Sequence, residues 1–321
     1  MELLQRALLA AAARTFGLRH EKLEKVHGSE HSLIGSYPHG KGRVFLRITE
    51  ESHKTYAHIL GEVQWVSFLA QEGLHVSSPV RSAQGRLAEQ ISFQERLYTA
   101  VCYEGAPGQP AGECAADEEL FKRMGAFMGR MHRISKHYVH QDPSTKRPDW
   151  SVEADRVQRI DLPASERDIT GLYRRLRGYI SSLPVTADAY GLIHADFHYG
   201  NFFINEGRLC LIDFDASRYS WFADDMAVAA FFAGMMREAE NMETNMGPHG
   251  FLQPFLDGYR AENHLDERWL REIPFFMKLR EMGRYIKLFH ACRGDLDRLH
   301  SWGRSFMKGR KALMIEGFPE C

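Results

Sequence analysis

His194, Asp196, Asn201, Asp213 and Asp215 are crowded into LIHADFHYGNFFINEGRLCLIDFD, residues 192–215, a run otherwise dominated by Leu, Ile and Phe. Ionisable groups set among apolar residues are costly unless they are paired or used. Residues 202–204 and 208–212 have the composition of two short strands, and Asn205-Glu206-Gly207 between them supplies a turn with glycine available for left-handed backbone. Folding that hairpin brings its ends together, with Asn201 on one side, Asp213 on the other, and His194 and Asp196 in the loop just before. Converging hard oxygens suit Mg²⁺, which is commonly held by one or two protein oxygens plus phosphate and water. A further carboxylate nearby can accept the proton of an attacking hydroxyl. The expected chemistry is therefore metal-assisted transfer from a nucleotide, with an apolar hairpin fixing the polar groups at its rim.

The elements around the hairpin divide the chain. Leu4, Ala7, Leu8 and Ala11 have helical spacing and predict an amphipathic first helix, not a secretory segment. Strands are expected at 32–37, 43–49, 85–92 and 95–103, and a helix carries Ile59, Val63, Val66 and Ala70 on one face up to Gly73. EGAPGQPAG, residues 104–112, is a Gly/Pro cluster and a hinge candidate. Beyond it helical spacing predominates at 118–137, 222–239, 254–262, 268–290 and 296–314, while 141–168 looks like a polar surface excursion with some helix. The expectation is an α+β fold of two lobes: a β-rich N-lobe over 1–103, a hinge over 104–112 and a larger, mostly helical C-lobe over 113–321.

Composition excludes several alternatives. With 41 Lys+Arg against 42 Asp+Glu there is no global field to attract nucleic acid or an anionic membrane. The longest apolar run, 226–236, is well short of the roughly 20 residues of a membrane span. Five widely spaced cysteines with no C-x-x-C pair read as reduced thiols of a cytoplasmic protein, and the histidines show no zinc spacing.

The order His194-x-Asp196-x-x-x-x-Asn201, then Ile212-Asp213-Phe214-Asp215, resembles the aminoglycoside phosphotransferase and choline kinase family, small-molecule kinases with a protein-kinase-like fold. The resemblance implies Asp196 as catalytic base, His194 as the residue organising its loop, Asn201 and Asp213 as Mg²⁺ ligands, and Asp215 as the second carboxylate of the later motif. It implies ATP as the donor, with GTP left open. It also makes Asp225 the helix aspartate that anchors the catalytic loop, and Arg47 the basic residue of the third strand with Glu62 as its helix partner. Val101 to Tyr103 would offer backbone groups to adenine, and Gly28 and Ser29 would open the nucleotide loop, although GSEHSLIG is not a G-x-G-x-x-G. Arg47 stands where Lys is usual in the family, a change of phosphate geometry.

Each feature also has a structural alternative. Arg47 and Glu62 could form a surface ion pair, and His198 and Tyr199 could simply support the loop. The group Arg280, Glu281, Arg284 and Tyr285 reads as a solvated helix face, with acceptor binding by Arg280 and Tyr285 the other possibility. Three functions are weighed: a kinase for a small-molecule hydroxyl, a protein Ser/Thr kinase and a silent kinase-shaped scaffold. Only a dozen positions separate Asp213 from Asp225, too few for a peptide-seating activation segment, and Ala195 replaces the arginine of H-R-D. Asp196, Asn201 and Asp213 are all retained, against the scaffold. Among small acceptors, a polycationic aminoglycoside calls for acidic residues, which the slightly basic tail 251–321 does not supply. The tail is more similar to the homoserine-kinase-like and bacterial stress-kinase branch.

Overall fold

A computed structural model describes residues 2–28, 32–40, 42–114, 117–240 and 248–318. In chain order it contains α1 (Glu2–Thr15), β1 (Lys25–Gly28), β2 (Ser32–His39), β3 (Gly42–Glu50), α2 (Tyr56–Gln71), β4 (Pro79–Val80), β5 (Glu89–Phe93), β6 (Arg96–Glu104) and β7 (Gln109–Pro110). There follow α3 (Glu118–Ser135), α4 (Trp150–Gln158), α5 (Arg167–Ser181), β8 (Tyr190–Ile193), β9 (Phe202–Asn205), β10 (Arg208–Leu211) and β11 (Arg218–Trp221). The chain ends in α6 (Phe222–Glu240), α7 (Pro248–Glu262), α8 (Ile273–Cys292), α9 (Ser301–Met307) and α10 (Arg310–Glu316). Contacts sort these elements into two units. The first comprises Met1–Ala115, His137–Arg147 and Tyr199–Ala216; the second comprises Ala116–Lys136, Pro148–His198 and Ser217–Cys321.

Period-two alternation organises the first unit. Strands run in the order β1-β2-β3-β6-β4, with β5 also on β6, and every pairing is antiparallel. Along β3, Val44, Leu46 and Ile48 face one way into a core shared with Leu8, Leu9, Ala12 and Ala13 of α1 and with Phe16 just after it. The alternate residues Phe45 and Arg47 face the other way, where the register sets them opposite Tyr103 and Val101 of β6. Val101 packs there with Ile59 and Val63 of α2. Thr55 caps α2 by accepting from the His58 amide at 3.3 Å, and Gly73, at φ 77°, follows its end.

The segment 137–147 presses on α2: a Cβ at Gly61 would lie 2.0 Å from the Thr145 carbonyl oxygen. The stretch 141–168 is mostly exposed and carries α4, in keeping with a polar surface excursion with some helix, but Arg147 and Trp150 within it are buried. Arg147 is accommodated because its guanidinium donates to the backbone carbonyls of His58 and Asp215. The hairpin β9–β10 closes on the pair Asn205 and Arg208, leaving Glu206 and Gly207 as the turn at φ 50° and 78°, both positive as a type I′ turn requires. Within the Gly/Pro cluster, β7 pairs with β9, and Gly108 at φ 89° approaches so closely that a Cβ would sit 2.0 Å from the Ile204 carbonyl oxygen.

In the second unit, α3 buries Leu120, Phe121, Met124, Met128 and Met131 along one stripe. It meets α7 backbone to backbone: a Cβ at Gly125 would be 1.8 Å from the Phe255 carbonyl oxygen, and one at Gly258 would be 1.9 Å from that of Lys122. Gly125→Ala should therefore force the helices apart and destabilise the protein by about 1–3 kcal/mol, the usual cost of overpacking. An unchanged denaturant midpoint would contradict that packing. α8 lies against α5 and α6. β8 pairs with β11, so the loop after Ile193 and the helix after Trp221 leave one small ribbon from opposite strands. That ribbon positions the 194–198 loop beside the first turn of α6.

Three further differences from the sequence expectations have local causes. The helix expected over 296–314 is broken, because Gly309 adopts φ 69° between α9 and α10. α7 begins at Pro248 and carries Pro254 inside it. α5 was not anticipated, although Ile169, Tyr173, Leu176 and Ile180 are buried at helical spacing. Among the described residues no helix is long and apolar enough to cross a membrane.

Candidate active site

The loop following β8 is held by its backbone. The carboxylate of Asp225, in the first turn of α6, accepts from the amides of His194 at 2.9 Å and Ala195 at 2.8 Å. It also lies 3.2 Å from Nε2 of His132, and both side chains are fully buried. His132 Nδ1 is 3.0 Å from the Tyr259 hydroxyl, which accepts from Asn263 Nδ2 at 2.8 Å. These contacts satisfy every partner if Asn263 donates to Tyr259, Tyr259 to His132, and His132 to Asp225. Burial alone would raise the Asp225 carboxyl, but the His132 hydrogen bond and charge, together with His194, hold it below the usual carboxylate range. His132 and Tyr259 were not singled out in the sequence. The available signal was a histidine on the buried stripe of α3.

This anchoring turns the loop sharply. Ala195 adopts φ 65°, and the Asp196 amide donates to His194 Nδ1 at 3.2 Å. His194 is fully buried. The Asp196 carboxylate receives Arg280 Nη2 at 2.6 Å on one oxygen and lies 3.3 Å from His198 Nε2 on the other. Arg280 Nη1 also donates to the Ala195 carbonyl at 2.9 Å. Burial would raise the Asp196 carboxyl, but the His198 hydrogen bond and the charges of Arg280, His198 and His194 push it far below its ordinary value. A lowered carboxyl contributes stability above its unfolded value near 3.9, and that contribution is lost as pH falls through the folded value. In Arg280→Gln, the Asp196 midpoint should rise by about one unit or more, as read by carboxyl ¹³C NMR. An unmoved midpoint would show that Arg280 does not hold the charge.

The expectation of a solvated face at 280–285 is overturned. Arg280 is bound to Asp196, Glu281 is buried between Lys278 at 2.7 Å and Arg310 at 3.3 Å, and the buried Tyr285 hydroxyl donates to Glu166 at 3.1 Å. Each charge meets a partner distant in sequence, which composition cannot reveal. The His198 ring lies against Phe232, tilted by 42° with centroids 4.3 Å apart.

The first unit assembles a second constellation. Arg47 Nη2 reaches both oxygens of Glu62 at 2.9 Å, and the Tyr103 hydroxyl donates to Glu62 at 2.7 Å. Glu62 is only 1% exposed, so the pair is buried rather than superficial. Asp215 receives Lys54, lies 3.7 Å from Arg47 Nη1, and its backbone carbonyl accepts from Arg147 at 2.8 Å. Burial would raise the Asp215 carboxyl, but Arg47, Lys54 and Arg147 together hold it low. Lys54 and Arg147 are cations of this cluster that motif matching missed, because neither lies in a motif.

Arg47, Glu62, Tyr103 and Asp213 line a cavity of about 320 Å³ whose remaining wall includes Ile34, Phe45, Phe203 and Ile212. β6 is paired with β3 and with β4 at Cys102 and Tyr103, and Tyr103 is the residue of 101–103 that lines the cavity. Gly28 ends β1 opposite Leu33. Ser29 lies outside the described residues. Tyr199 and Asn201 are buried in the turn before β9. The Ile212 amide donates to the Asn201 carbonyl at 2.9 Å, so the chain sets Asn201 beside the residue preceding Asp213, which adopts φ 62°. A carboxamide and a carboxylate brought together in this way are hard oxygen donors of the kind Mg²⁺ accepts. Among the described residues no group of three or more His, Cys, Asp or Glu side chains gathers to hold a metal.

A β-rich unit with a buried Arg–Glu pair, and a helical unit whose aspartate-anchored loop presents a carboxylate, define a kinase-like two-lobe α+β fold. Residues 37–273 match the phosphotransferase enzyme family (APH), and the chain belongs to that family. It is a small-molecule kinase, a phosphotransferase acting on an alcohol group. The chain is 30% identical over 318 residues to amicoumacin kinase of Bacillus subtilis (strain 168), covering 97% of this chain and 92% of that one. An amicoumacin kinase solved in complex with AMP-PNP, Ca²⁺ and Ami superposes with a TM-score of 0.87 at 30% identity, over 98% of this chain and 96% of that one. A microcompartment-associated aminopropanol kinase shares the fold, with a TM-score of 0.74 at 19% identity over 98% and 96%.

Proposed function

We propose that this chain transfers the γ-phosphoryl group of ATP to a hydroxyl of a small antibiotic-like acceptor, with Asp196 as base and Mg²⁺ held by Asn201 and Asp213. The observation that carries the role of Asp196 is the anchoring of its loop: with both preceding amides fixed on Asp225, the ionised carboxylate has little freedom. In the transfer, the acceptor oxygen forms a bond to phosphorus as its proton passes to Asp196, and the bond from phosphorus to the ADP oxygen breaks. Asp196 supplies orientation and a proton sink, a modest demand if the transition state is loose. The metal, when bound, would neutralise charge on the phosphate oxygens. Arg47 and Lys54, tied to Glu62 and Asp215, would present positive charge to the phosphates, and the cavity beside Tyr103 has an apolar lining suited to a flat base.

The division into an N-lobe over 1–103, a hinge over 104–112 and a C-lobe over 113–321 is part of this reading, as is a cytoplasmic location. The thiols Cys102, Cys114, Cys210 and Cys292 are free, which suits a reducing compartment. The acceptor is proposed from the relatives matched over nearly the whole chain, which are amicoumacin kinases. The test is a panel of amicoumacin, amino alcohols, aminoglycosides and a generic protein offered with ATP and Mg²⁺. Phosphorylated amicoumacin is the expected product. Phosphoprotein alone would indicate a Ser/Thr kinase, and nucleotide binding without any transfer would indicate a silent scaffold.

A further inference from the structure

Within the second unit a small cavity of about 110 Å³ is lined by four cationic side chains, Arg218, Arg280, Arg284 and Lys287, against the two carboxylates of Glu153 and Asp224. Its size suits one functional group rather than a whole ligand, for which pockets run to about 300–1,000 Å³. Three of the cations are matched: Arg218 with Asp224 at 2.8 Å, Lys287 with Glu153 at 2.9 Å and Arg280 with Asp196 at 2.6 Å. Arg284 has no carboxylate partner among the described residues. Its guanidinium instead lies over aromatic rings, 5.1 Å from the centroid of Phe232 and 5.0 Å from that of Trp302. Rings attract the charge but accept no strong hydrogen bond, so the N–H groups keep the capacity to take a ligand oxygen.

A second observation points the same way. The Nε–H groups of Arg218 and of Arg280 are buried without an acceptor among the described residues. The carboxylates at the cavity are taken up by Arg218 and Lys287, and that of Asp196 by Arg280, which leaves Arg284 as one cation in excess and two Nε–H donors without an acceptor. Burial and the neighbouring Arg280 charge lower the Arg284 guanidinium to about 10, as expected of a cation short of counter-charge. Arg280 also links the cavity to Asp196, so a group seated there lies one side chain from the carboxylate.

We propose that this cavity receives a planar oxygen-bearing group of the acceptor, a carboxylate or an amide carbonyl, with Arg284 as the residue that selects for it. The proposal rests on the reading of Asp196 as the acceptor-side base. It implies that the acceptor carries such an oxygen near the hydroxyl that is phosphorylated, and that a polycation is disfavoured at this position.

The test uses the full-length chain and three small secondary alcohols of equal carbon count: lactate, lactamide and isopropanolamine. Binding is followed through the arginine Nε–H resonances of wild type, Arg284→Gln and Arg284→Lys, with thermal melts to establish that each variant is folded. Lactate and lactamide are expected to shift the Arg280 and Arg284 signals while isopropanolamine does not, and Arg284→Gln should weaken both roughly tenfold or more. Arg284→Lys should fall between, since it keeps the charge but loses the planar fork. Tighter lactate than lactamide would assign the selection to charge, and equal binding would assign it to the carbonyl oxygen. No binding of either, binding indifferent to Arg284, or preferential binding of isopropanolamine would overturn the proposal. Phosphoryl transfer is read separately: probe binding without transfer to any acceptor removes the kinase role of Asp196 and leaves this site, whereas transfer with an acceptor KM unchanged in Arg284→Gln does the reverse.

Discussion

Asp196→Asn is expected to lower kcat by about 10² to 10⁴, the range of positioned general bases, while nucleotide affinity barely changes. The amide keeps the shape of the side chain and can still meet His198 and Arg280, but it cannot take the acceptor proton. The two preceding backbone amides remain fixed by Asp225, so the loop is held independently of the substituted side chain. A loss at the small end of the range would fit a loose transition state that asks little of its base. Wild-type kcat would remove Asp196 from the proton transfer. A large loss of nucleotide binding with intact kcat would move it to the metal.

Asp213→Ala should cost still more, abolishing metal-dependent turnover while the fold persists. Asp213 lines the cavity, and it is exposed rather than a residue of the hydrophobic core. If it is a metal ligand, the remaining Asn201 carboxamide is neutral and holds a divalent ion poorly. Loss should therefore be seen as a Mg²⁺ requirement shifted out of reach, measured by titrating Mg²⁺ at fixed ATP. Asn201→Ala should be milder. An unchanged Mg²⁺ dependence in Asp213→Ala would leave the metal to other groups and favour a scaffold.

The hairpin was legible from the sequence because its information is local. Alternation in 202–212 and a glycine in the turn are sufficient to predict β9 and β10, and they bring Asn201 and Asp213 to one neck. The strands and the first two helices followed from the same periodicities. What escaped was carried by long-range pairing. Arg280 meets Asp196 across 84 positions, and His132 meets Asp225 across 93. From composition, the charges at 280–285 were indistinguishable from a solvated face. Within the polar stretch 141–168, the burial of Arg147 on the carbonyls of His58 and Asp215 was hidden for the same reason. The pairing of β6 with both β3 and β4 at Cys102 and Tyr103 was equally hidden, since only the register reveals it.

The most direct test of the central claim is ³¹P NMR of the purified protein incubated with ATP, Mg²⁺ and amicoumacin. The account predicts a new phosphate monoester resonance coupled to a carbon-bound proton of the acceptor, growing in step with ADP and absent with Asp196→Asn over the same interval. ADP accompanied only by inorganic phosphate, or no ADP with any hydroxyl-bearing acceptor of the panel, would contradict it.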